Sequence, residues 1–262
     1  SGREGDRIGA ELAALAPALL ADGGVMQYLA NWAHVAGEDW RDRVAGWFAG
    51  TGCDAWVIQR EVTDPLSYVR LWATDAGQGV DTDHTRAWLD WFDDHRIEAV
   101  GFGLVTLRRG GHDHPVVRVE DLRQPLEQPF GVHVAAWFDR QDWLRGRDAD
   151  GLLDARYVAA DGVGLRQEAS RSGDGWSVDR QLLTLGGGTR RVEEVDPIVA
   201  ALVGAADGRL RLRDLLSLIA AAYEIPEPQL TATAPAAVAR LVEQGFLVPA
   251  GVDAAGEPGA ST

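Results

Sequence analysis

The residues of this chain best equipped for chemistry stand in one short run, Asn31-Trp32-Ala33-His34. A carboxamide, an indole N–H and an imidazole offer donors, an acceptor and a flat apolar wall, which is what a crevice for a polar substrate needs. Other groupings carry less. His112-Asp113-His114 sets imidazole beside carboxylate, but positions i and i+2 with no third ligand near in sequence read as a solvated turn, and no metal is expected. Asp90, Asp93, Asp94 and Glu98 read as the solvated face around a helix end and not as paired catalytic carboxylates. The single cysteine, Cys53, permits neither an internal disulfide nor a thiolate zinc cluster, and it opens an apolar run, so it reads as a buried structural thiol.

Two glycine clusters are read as turns. Gly50-Thr51-Gly52 precedes a strand instead of following one, which is the wrong order for a dinucleotide loop. Gly186 to Gly188 lies between two strand candidates, so a hairpin loop outweighs a phosphate cradle. The ten tryptophans could stack bases, yet their periodic placement beside Leu, Val and Phe favours core packing.

The elements that must position Asn31, Trp32 and His34 can be read from hydrophobic period. Asp6 to Leu20 is helical, with Ile8, Leu12, Leu15 and Leu19 on one face and Asp22-Gly23-Gly24 as its stop. A strand at Gly24 to Ala30, a helix at Glu38 to Phe48 and a strand at Asp54 to Val62 form one crossover unit of an open α/β sheet. Ligands of such sheets bind beyond the carboxyl ends of the strands, where Asn31, Trp32 and His34 are expected. Asp64-Pro65 opens a helix with Leu66, Val69 and Trp72 inward. After the polar hinge Asp75 to Asp81 a second helix runs from Asp83 to His95. The strand Ala99 to Leu107 closes this part, and the long insertion before it allows it to run antiparallel to its neighbours.

From His112 short strand candidates follow at Val116 to Val119, Val132 to Trp137, Leu152 to Val158, Gly164 to Ala169, Trp176 to Leu183 and Thr189 to Val195. Asp161-Gly162 and Gly173-Asp174-Gly175 are hairpin-type turns. The remainder is helical at Ile198 to Val203, Leu215 to Tyr223 and Thr231 to Gln244, stopped by Gly245, with a strand at Phe246 to Val248, the outline of a winged-helix module. Its third helix carries only Arg240 as a basic group, which favours packing or protein contact over DNA reading. The expected organisation is an α/β region over 1–111, a β-rich accessory region over 112–195, the winged-helix-like module over 196–250 and a disordered tail over 251–262.

Composition bounds the functions. With 262 residues, 46% of them apolar, the chain can bury one large core or two ordinary ones. A net charge of -15 disfavours nucleic acid as a partner unless a local basic face of the protein offsets the repulsion. All 25 basic residues are Arg, so Schiff-base and P-loop lysine chemistry is excluded; a GC-rich coding bias accounts for that usage. No apolar run reaches the ~20 residues of a membrane span, no signal-type leader opens the chain, and a cytoplasmic location is expected. The start, SGREGD, has no initiator Met and enters almost directly into a helix, as if cut inside a domain, although removal of a leader or a cloning choice gives the same start.

With the elements placed, the first 110 residues resemble the second half of a class I S-adenosylmethionine-dependent methyltransferase, of the bacterial glutamine- and adenine-type N-methyltransferase group. Gly5-Asp6 and Ala16-Pro17-Ala18-Leu19-Leu20-Ala21-Asp22-Gly23-Gly24 are similar to the loop and helix turn that follow that family's Asn-Pro-Pro-aromatic motif. Leu29-Ala30-Asn31-Trp32, Gly37-Glu38-Asp39-Trp40 and Gly52 to Glu61 resemble its run through strands five and six, and Gly101-Phe102-Gly103 its seventh strand, antiparallel in that fold. The glycine-rich loop, the ribose-binding acid and the Asn-Pro-Pro-aromatic motif itself belong to a half that this chain does not contain.

The resemblance implies the carboxyl-terminal half of a Rossmann-like sheet followed by accessory regions, with S-adenosylmethionine as the cofactor of the complete protein. Methyl transfer needs positioning more than acid-base chemistry, so this chain alone is expected to be inactive, with Asn31, Trp32 and His34 as substrate-side candidates and no cofactor ligands. The acceptor is left open among a protein glutamine, an RNA base and a small molecule. The alternative class is a non-enzymatic binding or regulatory protein that engages a partner through its β-rich and winged-helix regions; a third is a winged-helix nucleic-acid binder.

Overall fold

The structure is a computed structural model and describes residues 6–75, 82–173 and 175–251. The tail expected after 251, Asp174 and most of the 75–81 hinge lie outside the described residues. The chain divides into two compact units, Ser1–Arg123 and Gln124–Thr262.

The first unit is built on a four-stranded sheet ordered β1-β3-β2-β4. Strands β1 (Val25–Val35) and β2 (Cys53–Thr63) are joined through α2 (Trp40–Ala45) and a single 3-10 turn, Gly46–Phe48. They run parallel to each other but do not touch, because β3 (Ile97–Arg109) lies between them, antiparallel to both. The insertion α3 (Pro65–Asp75) and α4 (Thr82–Asp94) precedes β3. The first strand of the expected accessory region, β4 (Val117–Asp121), pairs parallel with β2 and so belongs to this sheet.

Helices cover both faces. On one, α1 (Arg7–Leu19) and α2 enclose Trp32, Trp40, Val44, Val57 and Val105; on the other, α3 and α4 bury Ala33, Val69, Phe92 and Val100. The start of α3 follows its sequence: Asp64 Oδ1 accepts from Ser67 N at 2.9 Å and Pro65 takes the first helical position, where its missing N–H costs nothing.

Two inward faces differ from expectation. The α1 helix buries Gly9, Ala13 and Ala16 and leaves Ile8, Leu15 and Leu19 exposed. Close packing explains this at Gly9, where an added Cβ would lie 2.7 Å from the Trp47 ring. In α3, Val69 is buried but Leu66 and Trp72 are exposed; Tyr68 faces inward instead and meets Trp88, Phe92 and Phe102.

The second unit is mixed, not β-rich throughout. Two strand candidates are helical: Val132 to Trp137 lies in α5 (Gly131–Arg145), and Leu152 in α6 (Ala149–Asp154) just before β5 (Arg156–Ala159). Val134, Trp137, Phe138 and Gln141 are buried along α5, a spacing of three and four that short-range alternation concealed. Strands β6 (Val163–Ser172), β7 (Gly175–Leu185) and β8 (Val192–Val195) form an antiparallel sheet, with Gly186–Gly188 in the β7–β8 connection as expected. Asp161-Gly162 is a turn, but it passes from one sheet to another.

Helices α7 (Pro197–Ala205), α8 (Leu212–Tyr223) and α9 (Glu227–Gln244) surround the main core of Leu202, Leu216, Val238, Leu241 and Phe246. Strands β9 (Asp207–Arg211) and β10 (Leu247–Pro249) flank β5. Asp196 Oδ1 caps α7 by accepting from Val199 N at 2.8 Å, and Gly245, at φ 87°, ends α9. No helix among the described residues is long and apolar enough to cross a membrane.

Candidate functional site

Strand β1 continues to Val35, so Asn31, Trp32 and His34 lie within it and not beyond its end. Side chains of a strand alternate between faces. The structure therefore separates the three candidates: Trp32 and His34 point to the α2 side, and Asn31 points to the α3 side, where its Nδ2 donates to Tyr68 OH at 3.3 Å.

Trp32 is 1% exposed. Its indole crosses the central strand β3 and donates Nε1–H to Gln59 Oε1 on β2, at 2.9 Å. That crossing requires bare backbone beneath it. A Cβ on Gly101 would collide with both Trp32 Nε1 and Gln59 Oε1, and one on Gly103 would strike the indole and the Ile58 carbonyl. The Gly101-Phe102-Gly103 run is thus the shelf on which Trp32 lies.

His34 Nε2 stands 2.7 Å from the same Gln59 oxygen. An indole N–H can only donate, so the Gln59 atom it meets is the accepting oxygen. His34 must then donate Nε2–H, which leaves Nδ1 as the ring's open position. Trp40 of α2 stacks on both rings, 5.8 Å from Trp32 and 5.3 Å from His34, and Asp39 caps that helix by accepting from Arg41 N.

The network continues across the sheet. Gln59 Nε2 donates to Asp121 Oδ2 at 3.2 Å, and Arg123 grips Asp121 at 2.9 Å. Burial raises the Asp121 pKa, but the Arg123 hydrogen bonds and charge outweigh it and hold the carboxyl below its ordinary range. The result is a fixed polar line, His34–Gln59–Asp121–Arg123, at the carboxyl ends of three parallel strands. It presents one half-buried imidazole nitrogen, a wall and a hydrogen-bond acceptor, suited to orienting a polar group.

Gln59, Asp121 and Arg123 were not singled out in the sequence; Gln59, closing the apolar run Ala55 to Ile58 of β2, was the available signal. Asp90, Asp93, Asp94 and Glu98 are exposed, as are Asp113 and His114, with His112 half-buried. Cys53 is fully buried, and burial pushes its thiol pKa up.

A second polar cluster, in the second unit, joins the triple glycine to Glu127 and His133. Gly188 N donates to Glu127 Oε2 at 2.5 Å, and His133 Nε2 lies 3.3 Å from that oxygen. The Gly188 amide, ahead of the opposing burial, lowers the Glu127 pKa. A Cβ on Gly187 would meet the Glu127 carboxylate and one on Gly188 would press on the His133 ring, so the loop's glycines serve a close approach.

Residues 135–249, less than half of the chain, match a family model described as a domain of unknown function, DUF7782. The match covers most of the second unit and none of the sheet that carries His34. No curated protein matches the chain.

Proposed function

We propose that this chain is the carboxyl-terminal portion of an S-adenosylmethionine-dependent methyltransferase, acting on a nitrogen acceptor, with the cofactor-binding half lying outside the sequence given. The observation that carries the reading is the central sheet. The strands matched to five and six of that family, β1 and β2, run parallel with a helix between them, and the strand matched to seven, β3, is antiparallel to both.

The free edge of β1 also supports it. Ala33 N donates away from the sheet to Asp6 Oδ1 at 2.8 Å, so the amides of Asn31, Leu29, Gln27 and Val25 face the same open side. The strand has neither a formally charged residue nor a proline to blunt that edge, whereas the opposite edge, β4, is short and carries Arg118, Glu120 and Asp121. An unprotected edge suits a sheet that continues.

In this reading the imidazole of His34 and the amide of Asn31 are substrate-side groups, Trp32 is their support, and S-adenosylmethionine, when bound to the complete protein, supplies the methyl group. The α7–α8–α9 helices with β9 and β10 form a winged-helix-like accessory module in a cytoplasmic enzyme. Its α9 offers Arg240, which is already 3.5 Å from Glu193, in keeping with protein contact over DNA reading.

Calorimetry tests the proposal: S-adenosylmethionine should not bind this chain at micromolar concentration but should bind the gene product that includes the upstream half. Micromolar binding by the chain alone, or no binding by the longer product, would overturn it. A second reading, a non-enzymatic binding protein, is favoured by Trp176, 78% exposed on the β6–β7 ribbon; failure of the longer product to bind S-adenosylmethionine would support it.

A further inference from the structure

A cavity of about 470 Å³ opens beside the carboxyl end of β1, walled by Trp47 and Trp91, Glu38 and Arg43, and His95 and Arg96. None of His34, Gln59 or Asp121 lines it. Its volume falls in the range of small-molecule sites.

Its chemistry combines flat apolar surface with prepared cations. The Trp91 and His95 rings stack at 4.2 Å. His95 Nδ1 is 2.7 Å from the Trp91 carbonyl oxygen, which can only accept, so Nδ1 carries the proton and Nε2 is left for another partner. Arg43 is held by Asp6 through Nε at 2.7 Å and by Glu38 through Nη1 at 3.3 Å. Its Nη2 has no partner among the described residues. Asp6 is in turn committed to Arg43 and to Ala33 N, so it does not oppose an incoming anion as a free carboxylate would.

Arg96 is the most telling residue. It stands one position past the cap of α4, at φ 52°, where glycine is the unstrained choice. Its backbone is pinned on both sides: its N–H donates to Asp93 O at 2.9 Å and its carbonyl accepts from Ala36 N at 2.8 Å. Its guanidinium has no carboxylate partner among the described residues. A strained backbone that places an unpaired cation on a cavity wall is the kind of outlier from which a function is inferred.

We propose that this cavity binds a small planar ligand bearing an anionic group, with the size and chemistry of a nucleoside monophosphate. The ring lies against the Trp47 and Trp91 indoles, the phosphate engages Arg96 and Arg43, and Glu38 accepts from a hydroxyl or ring N–H. The cavity borders the open side of β1, where Ala33 and Asp6 meet, and every group assigned to the ligand belongs to this chain.

The test is calorimetric titration of the full chain with adenosine 5′-monophosphate, with adenosine and inorganic phosphate as separate probes, on the native chain and on Arg96→Gly. Glycine suits the φ at that position, so this variant removes the guanidinium while preserving the fold, which an unchanged or raised Tm verifies. The expected result is saturable binding of the monophosphate, weaker binding of each separate probe, and a loss of affinity of about threefold or more in Arg96→Gly. No saturable binding, equal affinity for adenosine and its monophosphate, or a smaller loss in Arg96→Gly overturns the assignment.

Discussion

Gln59 is the residue on which the first unit's polar chemistry converges, since it joins Trp32 and His34 on β1 to Asp121 on β4. Its replacement by Leu leaves the buried Trp32 N–H unpaired, and a stranded buried donor costs about 2 kcal/mol. Urea unfolding of the full chain, followed by hydrogen exchange of the β1 and β3 amides, should register that loss. Gly101→Ala acts on the same crossing from the backbone side. Trp32 and Gln59 must both shift, and overpacking of this kind costs about 3 kcal/mol, again read from exchange of the β1–β3 ladder. Asp121 supplies the pH dependence. Its folded pKa is depressed, so its contribution to stability is present above its unfolded value of about 3.9 and is lost as pH falls through the folded value. Asp121→Asn should lower Tm at pH 7 and flatten the fall of Tm in acid; an unaltered acid limb of the Tm profile would show that the carboxylate contributes nothing.

Among the described elements, β1 forms an uncharged sheet edge beside exposed apolar side chains. Leu29 is 79% exposed on it, and Ile8, Leu15 and Leu19 of α1 are exposed as well. An uncharged edge of eleven residues is a template for pairing with another strand. The chain as given should therefore associate with rising concentration, and Leu29→Lys, which places a charge on the open edge, should suppress that association in sedimentation velocity runs. Equal association of the two proteins would place the contact elsewhere and remove one support of the methyltransferase reading. The triple-glycine loop illustrates the opposite case, an element whose glycines are explained by what they let near them. Glu127 and His133 occupy the space that side chains at 187 and 188 would need.

At the scale of the molecule, each unit has its own core. Residues 124–251 enclose Leu216, Val238, Leu241 and Phe246, and this segment expressed alone should unfold cooperatively on heating; a non-cooperative melt would show that it depends on the first unit. The sequence by itself determined a good deal. Hydrophobic period and caps located α1, β1, β2, α3, α4 and β3, and the Asp-Pro pairs at 64 and 196 announced helix starts correctly, because capping is a local interaction between residues a few positions apart. It also singled out the Asn31 to His34 stretch. What it did not determine were relations across distance. Whether α1 turns its leucines or its alanines inward depends on Trp47 lying close to Gly9. Whether Val132 to Trp137 becomes strand or helix depends on the core it meets. The order β1-β3-β2, the opposite faces of Asn31 and His34, and the line from His34 to Arg123 exist only because β3 inserts between two parallel strands and two of its residues have no side chain to obstruct an indole. Local chemistry wrote the elements, and tertiary contact decided which side chains met.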